Sequence, residues 1–401
     1  MINPVALSQE LMRCPSVTPL EAGTLDVLEA ALKPLGFTCY RQKFGEVENL
    51  YARRGDKGKN LCFAGHVDVV PAGDLAAWKY DPFSATIEGD TLYGRGAVDM
   101  KVAIACWVSA LSRHEARSTS HSLLITCDEE GVATHGTKPM LEWLKEKGET
   151  IDACIVGEPT NPNALGEMIK IGRRGSVSFA LTVQGVQGHV AYPDKAANPI
   201  TPLIALLNIL KTTKLDDGTE FFLPSNLEIT SVDVGNPVGN VTPAKAHANF
   251  NIRFNDKHTG ASLVEWVQKL CAENLQSLIA PAPANASAMS LSATRTEGSG
   301  LLPTYNLQPS ISAEAFFCPP KTLAPLVADA VEKVTSKRPE LSTTGGTSDA
   351  RFIRNYCSEL VECGLINETA HKVNECATLD DIHQLTAIYA EIIEQYSRAT
   401  I

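Results

Sequence analysis

Histidines and acids stand at the ends of several apolar runs in this chain, a placement that suits metal-ion chemistry. The run SLLITC ends in Asp128, Glu129 and Glu130, and the run NLCFAGHVDVV contains His66 and Asp68. Side chains alternate between the two faces of a strand, so three adjacent acids need not serve one purpose. An isolated acidic cluster is more often a solvated strand end than a site. The rest of the sequence therefore has to decide.

Three further stretches have the same character. They are GRGAVDMK with Asp99, VGEPT with Glu158, and ETAHKVNE with His371. In an open α/β sheet, ligands bind outside the carboxyl ends of the strands, so residues that are distant in sequence converge there. Imidazole and carboxylate ligands together suit zinc or a similar first-row ion, with water in the open positions. The joint pattern predicts a metal site.

Each residue alone also has an ordinary interpretation. Asp99 precedes a helical run and is compatible with an N-cap, and Glu158 is compatible with a turn carboxylate. His135 follows the acids closely but falls in a turn-to-helix stretch, so it is not predicted to be a ligand. His114 and His121 flank a loop and are expected to face solvent.

Length and composition bound the function. A chain of 401 residues accommodates two domains. The net charge of −11, from 35 basic and 46 acidic residues, argues against nucleic-acid binding. No run of about 18 apolar residues suggests a membrane span, and no secretory signal pattern begins the chain. Eleven scattered cysteines without a C-x-x-C pair are typical of reduced thiols, so a cytoplasmic protein is predicted.

The order of predicted elements divides the chain into two domains. About 170 residues alternate strands and helices, which indicates an α/β sheet. The next segments follow the β-α-β-β-α-β order of a ferredoxin-like domain. The predicted strands are SVSFALTVQG, SNLEITSVDVG, KAHANFNIRFN and MSLSATRTEG, and the predicted helices are NPITPLIALLNILKTT and GASLVEWVQKLCAENL. We therefore predict an α/β domain made of residues 1–174 and 309–401, interrupted by a smaller domain at 175–308.

Eight motifs occur in an order that resembles the M20 metallopeptidase family: GHVDVVP, LYGRGAVDMK, DEEG, VGEPT, GRRGS, GHVAYP, TTGGTSDARF and HKVNEC. The resemblance runs from about residue 5 to residue 395. Within the family it is most similar to members that remove a succinyl group from diaminopimelate. It implies an α/β, zinc-exopeptidase-like catalytic domain with an inserted ferredoxin-like α+β dimerisation domain.

The resemblance also implies a set of metal ligands. Two Zn²⁺ ions, for which Co²⁺ is able to substitute, would be bridged by Asp99 and a water or hydroxide. The remaining ligands would be His66 with Glu158 for one ion, and Glu130 with His371 for the other. Glu129 matches the general base, which accepts the water proton and so must not ligate. Asp68 matches an acid that orients the ligand histidine, and the peptide bond after Asp99 is often cis in the family.

A homodimer and an anionic substrate are implied as well. His189 matches a histidine that reaches the neighbouring subunit's site and stabilises the oxyanion. A small anionic N-succinyl amino acid requires cations, for which Arg173 or Arg174 and Arg253 are candidates, although Arg253 is also compatible with a solvated strand. The substrate-lining residues implied by motif are Arg173, Ser176, Tyr192, Asn240, Arg253, Gly346, Thr347 and Asn367. The TTGGTSD stretch is compatible either with a flexible loop or with backbone N–H groups that bind an anion.

Three functions compete at this stage. The leading hypothesis is hydrolysis of N-succinyl-LL-2,6-diaminopimelate to succinate and LL-2,6-diaminopimelate, a step toward lysine and a cell-wall precursor. The second is another M20 amidase activity, such as deacetylation of N-acetylornithine or aminoacylase activity. The third is a catalytically inactive member that binds or regulates, which the intact set of five ligands and Glu129 argues against.

Overall fold

The computed structural model describes residues 1–114, 119–279 and 303–399. The chain forms two compact units. Met1–Arg173 and Phe317–Ile401 together form the discontinuous unit, and Arg174–Phe316 forms the inserted unit. Among the described residues, no helix combines the length and the apolar character that crossing a membrane requires.

The first stretch of the discontinuous unit alternates strands and helices, as predicted. Its elements in chain order are α1 (Pro4–Met12), α2 (Thr24–Leu32), β1 (Thr38–Phe44), β2 (Val47–Arg54), β3 (Asn60–His66), β4 (Thr86–Glu88), β5 (Thr91–Tyr93), α3 (Lys101–Leu111), β6 (Ser120–Thr126), α4 (Thr137–Glu146), β7 (Ala153–Val156), β8 (Met168–Lys170) and β9 (Gly172–Arg173).

The inserted unit follows the predicted β-α-β-β-α-β order. Its elements are β10 (Gly175–Gln184), β11 (Gly188–His189), α5 (Ile200–Thr212), β12 (Asn226–Asp233), β13 (Val241–Thr242), β14 (Lys245–Phe254), α6 (Gly260–Ile279) and β15 (Thr304–Ala313). The chain then continues through β16 (Phe316–Phe317), α7 (Leu323–Thr335), β17 (Glu340–Ser342), α8 (Ala350–Ile353), β18 (Glu359–Glu362), β19 (Cys376–Thr378) and α9 (Leu379–Ala399).

An eight-stranded sheet organises the discontinuous unit, in the order β1-β2-β6-β3-β7-β18-β8-β17. The central strands β6, β3, β7 and β18 pair in parallel, and they are almost entirely buried, which is why they read as continuous apolar runs. Phe63 of β3 stacks on Trp107 of α3, with ring centroids 4.9 Å apart, and Tyr389 of α9 packs edge-on to Trp107. These aromatic contacts join the sheet to two helices.

A four-stranded antiparallel sheet forms the inserted unit, in the order β12-β14-β10-β15. One face of β10 and β14 is apolar and packs with α5 and α6, in a core that includes Phe179, Leu206, Phe250 and Val267. Phe179 and Phe250 stack with their ring centroids 4.9 Å apart. The strand order and the two helices on one face agree with the predicted ferredoxin-like arrangement.

The predicted second boundary of the inserted domain differs from the structure. The predicted end of the inserted domain, between residues 308 and 309, falls inside β15, which pairs along its length with β10. Because that strand is held by the inserted unit's sheet, the unit extends to Phe316. The strand predicted for MSLSATRTEG, at 289–298, lies outside the described residues, and β15 is the strand that pairs with β10.

Candidate metal centre

Three neighbouring parallel strands bring their carboxyl ends to one edge of the sheet. The register pairs His66 at the end of β3 with Thr126 at the end of β6, and pairs Ala64 with Val156 at the end of β7. Glu158 lies two residues beyond Val156, and Glu129 and Glu130 follow Thr126 within four residues. The acids and the histidine therefore meet at the strand ends, as the sequence predicted.

Two glycines allow the backbone carrying Asp99 to approach these strands. Gly65 and Gly157 directly precede His66 and Glu158. A Cβ atom at these two glycines would lie 2.4 Å and 2.6 Å from Cε of Met100. The Met100 side chain therefore occupies space that any larger residue would take, and it fixes the neighbouring Asp99. The Asp99–Met100 peptide bond is cis, and Asp99 is not the N-cap of α3, since that position is Met100.

The ligand candidates form two groups that share Asp99. Nε2 of His66 lies 3.1 Å from Oδ1 of Asp99 and 3.6 Å from Oε1 of Glu158. Nε2 of His371 lies 3.2 Å from Oδ2 of Asp99 and 2.9 Å from Oε1 of Glu130. Each of the two oxygens of Asp99 thus faces a different group, which is the geometry of a bridging carboxylate.

These groups fit two divalent cations. Each offers one imidazole nitrogen and two carboxylate oxygens whose atoms all lie within 4.8 Å of one another. Ligand bonds of about 2.1 Å in a tetrahedral site place neighbouring ligand atoms roughly 3.4 Å apart, close to the observed separations. Three protein ligands leave one position of each ion for water or substrate, as in catalytic zinc sites.

The charges of the site call for cations. Burial raises the pKa of Glu158 well above its ordinary range, and the nearby carboxylates of Asp99 and Glu129 raise it further. Hydrogen bonds to Asp99 and Glu130 raise the pKa of His371 to about 10. These raised pKa values reflect closely spaced buried carboxylates, whose negative charge two bound dications would compensate.

Glu129 stands beside the two groups without belonging to either. Burial raises the pKa of its carboxyl to about 8, and the carboxylates of Asp349, Glu130 and Asp99 act in the same direction, opposed by His66. A carboxyl with a raised pKa, next to a metal site but outside its ligand set, is suited to accepting and returning a proton.

Asp68 contacts the site in a different way from the expected one. Nδ1 of His66 lies 2.9 Å from the backbone carbonyl oxygen of Asp68, and 3.7 Å from its carboxylate. The carboxylate of Asp68 instead accepts the backbone N–H groups of Glu129 and Glu130, at 3.3 and 3.1 Å. The main chain of Asp68 thus fixes the histidine, leaving its Nε2 for a metal, and the side chain fixes the two acids.

Asp128, the first of the three acids, has a structural role. Its carboxylate accepts the backbone N–H groups of Val132, Thr134 and His135, at 3.1, 2.9 and 2.9 Å. These bonds hold the turn that follows the candidate ligand Glu130. Among the described residues, His135 belongs to neither ligand group.

One buried carboxylate was missed by the sequence reasoning. Glu375 is fully buried and accepts hydrogen bonds from Arg95 Nη1 (2.7 Å) and from the backbone N–H groups of Gly96, Val98 and Asp99 (3.1, 2.9 and 3.2 Å). It therefore holds the segment that presents the bridging Asp99. The only signal in the sequence is its position four residues after His371, inside the HKVNEC motif.

The loop carrying His371 has a strained backbone. His371 has φ 61° and Asn374 has φ 60°, in the left-handed region that non-glycine residues seldom adopt. Such conformations persist where the surrounding structure fixes them, and they cluster at functional sites. The same loop contains Asn367, whose backbone N–H donates to the carbonyl of Asn161.

The other substrate candidates of the discontinuous unit lie around one loop. Gly346 and Thr347 precede α8, and Nη1 of Arg173 donates to the carbonyl oxygen of Gly346 at 3.1 Å. The hydroxyl of Thr347 accepts a hydrogen bond from Nη1 of Arg351 at 3.3 Å. The TTGGTSD stretch is therefore held by side chains.

The candidates of the inserted unit fall at two places. Ser176 and Arg253 face each other across β10 and β14, near the start of β10, where Arg174 donates to Asn226 at 3.0 Å. His189 lies elsewhere, on the short ribbon formed by β11 and β13.

The ribbon is exposed and carries three of the candidates. Val190 N–H donates to the carbonyl oxygen of Asn240, and the rings of His189 and Tyr192 pack edge to face with centroids 5.7 Å apart. Ala191 N–H donates to Nδ1 of His189 at 3.0 Å. A neutral His189 therefore carries its proton on Nε2, which makes that nitrogen a donor.

The expectation that His114 and His121 face solvent is wrong for His121. This residue lies in β6 with 1% of its surface exposed, and burial lowers the pKa of its imidazole to about 3. His114 is largely covered, with Nδ1 3.4 Å from a Glu394 carboxylate oxygen. His121 therefore belongs to the packing of the unit, whereas His114 is partly buried at the end of the described segment before residue 115.

An open α/β sheet whose strand ends carry two ligand groups joined by one carboxylate defines a dinuclear metallohydrolase site. The family model described as Peptidase family M20/M25/M40 matches residues 62–395. The chain belongs to this family, as its motifs suggested.

Similar proteins extend over almost the whole chain. A succinyl-diaminopimelate desuccinylase of Caulobacter vibrioides is 50% identical over 398 residues, covering 99% of this chain and 97% of that protein. The protein of the same name from Rhodospirillum centenum is 49% identical over 403 residues, covering 98% and 97%. That of Rhodospirillum rubrum is 48% identical over 417 residues, covering 100% of both chains.

Solved structures share the fold at low sequence identity. Aminopeptidase PepT from Bacillus cereus aligns with a TM-score of 0.76 at 17% identity, over 98% of this chain and 99% of that chain. An M20 family metallo-carboxypeptidase from Sulfolobus solfataricus aligns with a TM-score of 0.72 at 17% identity, over 99% and 100%. The Bacillus subtilis YXEP protein, described as a dinuclear metal binding peptidase, aligns with a TM-score of 0.67 at 13% identity, over 99% and 98%.

Proposed function

We propose that this chain is a zinc-dependent amide hydrolase that converts N-succinyl-LL-2,6-diaminopimelate and water to succinate and LL-2,6-diaminopimelate, in lysine and peptidoglycan precursor biosynthesis. The substrate is supported by relatives near 50% identity, along nearly their full length, that are named for this reaction. The chemistry is supported by one observation above all, that the two oxygens of Asp99 face separate ligand groups with Glu129 beside them.

Zinc is the ion that the donor atoms favour in this proposal. Each group combines one imidazole nitrogen with two carboxylate oxygens, a set typical of catalytic zinc sites. Co²⁺ accepts similar ligands and is expected to substitute. When bound, the two ions lower the pKa of water toward neutrality and polarise the carbonyl oxygen of the amide.

Glu129 is the proposed general base. It accepts one proton from the attacking water as the new C–O bond forms at the succinyl carbonyl carbon. It then delivers that proton to the amide nitrogen as the C–N bond breaks, so the amine leaves neutral and Glu129 returns to its carboxylate form. Asp68 holds the backbone of Glu129 and Glu130 during both steps.

His189 is the proposed donor to the oxyanion. Its Nδ1 accepts the Ala191 N–H, which leaves the proton on Nε2, and a fixed N–H aimed at the developing negative charge stabilises the transition state. The carboxylates of the substrate would be bound by Arg173, Arg253 and neighbouring hydroxyl and amide groups. The proposed set is Arg173, Ser176, Tyr192, Asn240, Arg253, Gly346, Thr347 and Asn367.

The two places in the inserted unit support a homodimer. Ser176 lies near one end of β10 and the His189 ribbon follows the other end, beyond Gln184. Eight residues of strand span roughly 26 Å, whereas an acylated amino acid of about four residue lengths spans at most ~14 Å. A substrate of that length held at Ser176 would not reach the far end of β10, which supports our assignment of His189 to the site of a second copy.

Exposure of the ribbon agrees with such a partner. Val190, Tyr192 and Val238 are each 46–57% exposed, and apolar surface of this kind is typically covered in an assembly. Among the described strands, β12 is at the edge of the four-stranded sheet, and its Val232 is exposed. The inserted unit is therefore the proposed dimerisation domain.

Mixing two inactive variants tests the dimer. His189→Ala and Glu129→Gln subunits are each expected to be nearly inactive alone. A refolded equal mixture is expected to recover about a quarter of wild-type activity, because half of the dimers combine the two variants and each of these has one intact site. A mixture as inactive as its components, with mixed dimers present by mass spectrometry, would rule out action across subunits.

The reaction itself is tested by product analysis. We expect succinate release from N-succinyl-LL-2,6-diaminopimelate, loss of activity after chelation, and recovery with Zn²⁺ or Co²⁺. N-acetylornithine and N-acetyl amino acids are the control substrates. Turnover of an acetylated substrate without turnover of the succinylated one would assign the chain to another M20 amidase activity.

A reducing compartment, such as the cytoplasm, suits the cysteines. All eleven are free thiols, eight of them buried. Burial raises the pKa of Cys106, Cys357 and Cys363 to about 12, which keeps these thiols protonated and unreactive.

A further inference from the structure

Glu362 is a buried carboxylate that the proposed mechanism does not use. It is the last residue of β18, a strand between β7 and β8 in the eight-stranded sheet, and none of its surface is exposed. A buried carboxylate is unfavourable unless its charge is paired and its oxygens accept hydrogen bonds. Its partners therefore show what it does in the fold.

Each oxygen of Glu362 holds a different segment of the chain. Oε2 accepts a hydrogen bond from Nε of Arg173 at 2.7 Å and another from Nη2 of the same side chain. Oε1 accepts a hydrogen bond from the hydroxyl of Ser348 at 2.5 Å. One side chain thus joins the end of β9 to the loop before α8.

Arg173 is fixed further by that loop. Its Nη1 donates to the carbonyl oxygen of Gly346 at 3.1 Å. Gly345 has φ +102°, and a Cβ atom there would lie 2.8 Å from Nη1 of Arg173. The guanidinium is therefore packed against the backbone at 345–346, in a place that only glycine permits.

Among the described residues, three of the five N–H groups of Arg173 donate within the protein, which leaves two for an anion. The positive charge of Arg173 is already paired with Glu362. Arg173 would therefore recognise a substrate through the fixed orientation of its N–H groups rather than through net charge. Glu158 and Glu129 are among the groups that raise the pKa of Arg173 against the opposing effect of burial, so the guanidinium lies close to the metal ligands.

The loop held by Ser348 carries the remaining groups. Gly346 and Thr347 are proposed substrate contacts, and the buried Asp349 next in sequence raises the pKa of Glu129. Lys170 adds a second attachment, because its Nζ donates to the hydroxyl of Thr344 at 2.7 Å. Removing the Glu362 carboxylate would break the hydrogen bond to Ser348 and two of the three hydrogen bonds that orient Arg173.

We propose that Glu362 is a positioning residue for substrate binding, which sets the orientation of Arg173 and of the 344–349 loop without touching the substrate. This rests on the proposed function, since it assigns Arg173, Gly346 and Thr347 to the substrate carboxylates. Under this proposal one set of residues holds the metal ions and another set binds the carboxylates of the substrate. Glu362 belongs to the set that supports substrate binding.

The test compares Glu362→Gln with wild type in the desuccinylase assay. The amide keeps the size of the side chain but replaces one acceptor oxygen by a donor and leaves Arg173 unpaired. We expect KM to rise roughly 10- to 100-fold while kcat changes less than about threefold. Bound zinc, measured by competition with a chelating dye, is expected to be unchanged, and Glu359→Gln on the same strand is the matched control.

Two further variants keep the test decisive if Glu362→Gln does not fold. Ser348→Ala removes only the Oε1 contact and is expected to raise KM by a smaller factor, roughly threefold to tenfold. Arg173→Lys keeps the positive charge but removes the planar guanidinium that can form two parallel hydrogen bonds. The rise in KM of the double variant Arg173→Lys/Ser348→Ala is expected to be smaller than the product of the two single-variant factors, because both substitutions act through Glu362.

The possible results of these measurements separate failure of the positioning role from failure of the proposed function. An unchanged KM in Glu362→Gln, or a fall in kcat or zinc affinity without a rise in KM, would overturn the proposal, and an unchanged KM in Ser348→Ala would do so if Glu362→Gln is unfolded. Failure of the wild type to release succinate would instead overturn the proposed function, so the two failures are distinguishable.

Discussion

The candidate residues of the two units differ in how far they are already in place. In the discontinuous unit, His66, Asp99 and Glu158 are covered, and their ligand atoms lie 3.1–3.6 Å apart. In the inserted unit, His189 and Tyr192 stand on an exposed ribbon. The difference teaches that the candidate metal ligands are already preorganised within one copy of the chain, whereas the proposed contacts of the ribbon would need a second copy to cover them.

The same physical device supports both units, however. A covered carboxylate accepts several hydrogen bonds and thereby fixes a segment of backbone: Asp68 and Glu375 do this around the metal centre. Asp216 does so in the inserted unit, where it accepts from the N–H groups of Gly218 and Ser225 and from the Asn255 amide. In the discontinuous unit such carboxylates hold the backbone of the candidate metal ligands, and in the inserted unit Asp216 stabilises the fold.

The largest expected effect separates proton transfer from metal binding. Glu129→Gln removes the proposed base but none of the ligand groups, so kcat is expected to fall roughly 10³-fold while two metal ions stay bound. Steady-state kinetics and metal analysis of the same sample check this. Glu130→Gln is the control, expected to lose metal from the second group, and loss of metal in Glu129→Gln would contradict the division of roles.

A smaller effect on activity is expected for a side chain that holds the backbone of a proposed metal ligand without binding the metal itself. Glu375→Gln places a donor amide among four N–H donors around the Asp99 segment, so metal affinity is expected to fall about 10- to 100-fold. Saturating zinc should restore most of kcat. Competition with a chelating dye measures the affinity.

The exposed Glu368, on the same loop, supplies the control for Glu375. Glu368→Gln is expected to leave metal affinity unchanged, since its side chain faces solvent. Equal affinities for the two variants would show that the backbone at Gly96–Asp99 does not need Glu375, and the preorganisation of the metal centre would then lie elsewhere.

The sequence predicted that histidines and acids converge at the strand ends, whereas the assignment of individual ligands was implied by the resemblance to the M20 family. His66, Asp99, Glu130, Glu158 and His371 each stand in a short motif beside a predicted strand or loop, and parallel strands bring such ends together. The ferredoxin-like order of the inserted unit was likewise visible, because its strands alternate and its helices are amphipathic. The structure brings the five residues into two groups that share Asp99.

The hydrogen-bond partners of the buried carboxylates could not be predicted from the sequence. Glu375 bonds to a segment about 280 residues earlier, and Asp128 bonds to backbone N–H groups that any residue supplies. Such contacts leave no periodicity or motif. The second boundary of the insertion was misplaced for a related reason, since the pairing of β15 with β10 joins strands about 130 residues apart.

The smallest expected effect concerns the stability of the inserted unit alone. Burial raises the pKa of Asp216, but hydrogen bonds from Ser225, Gly218 and Asn255 outweigh it and lower the value to about 2. A carboxyl whose pKa is lower when folded stabilises the fold above its ordinary pKa near 3.8, and this contribution is lost as the pH falls toward 2.

Asp216→Asn is therefore expected to reduce the free energy of unfolding by roughly 2 kcal/mol at neutral pH, and the gap from wild type should narrow between pH 4 and pH 2. Urea unfolding at several pH values measures it. Asp217→Asn, at the exposed neighbouring acid, is the control and should change little. Zinc affinity should be unchanged in both variants, because the partners of the Asp216 carboxylate among the described residues belong to the inserted unit. A loss of zinc affinity in Asp216→Asn would contradict this expectation.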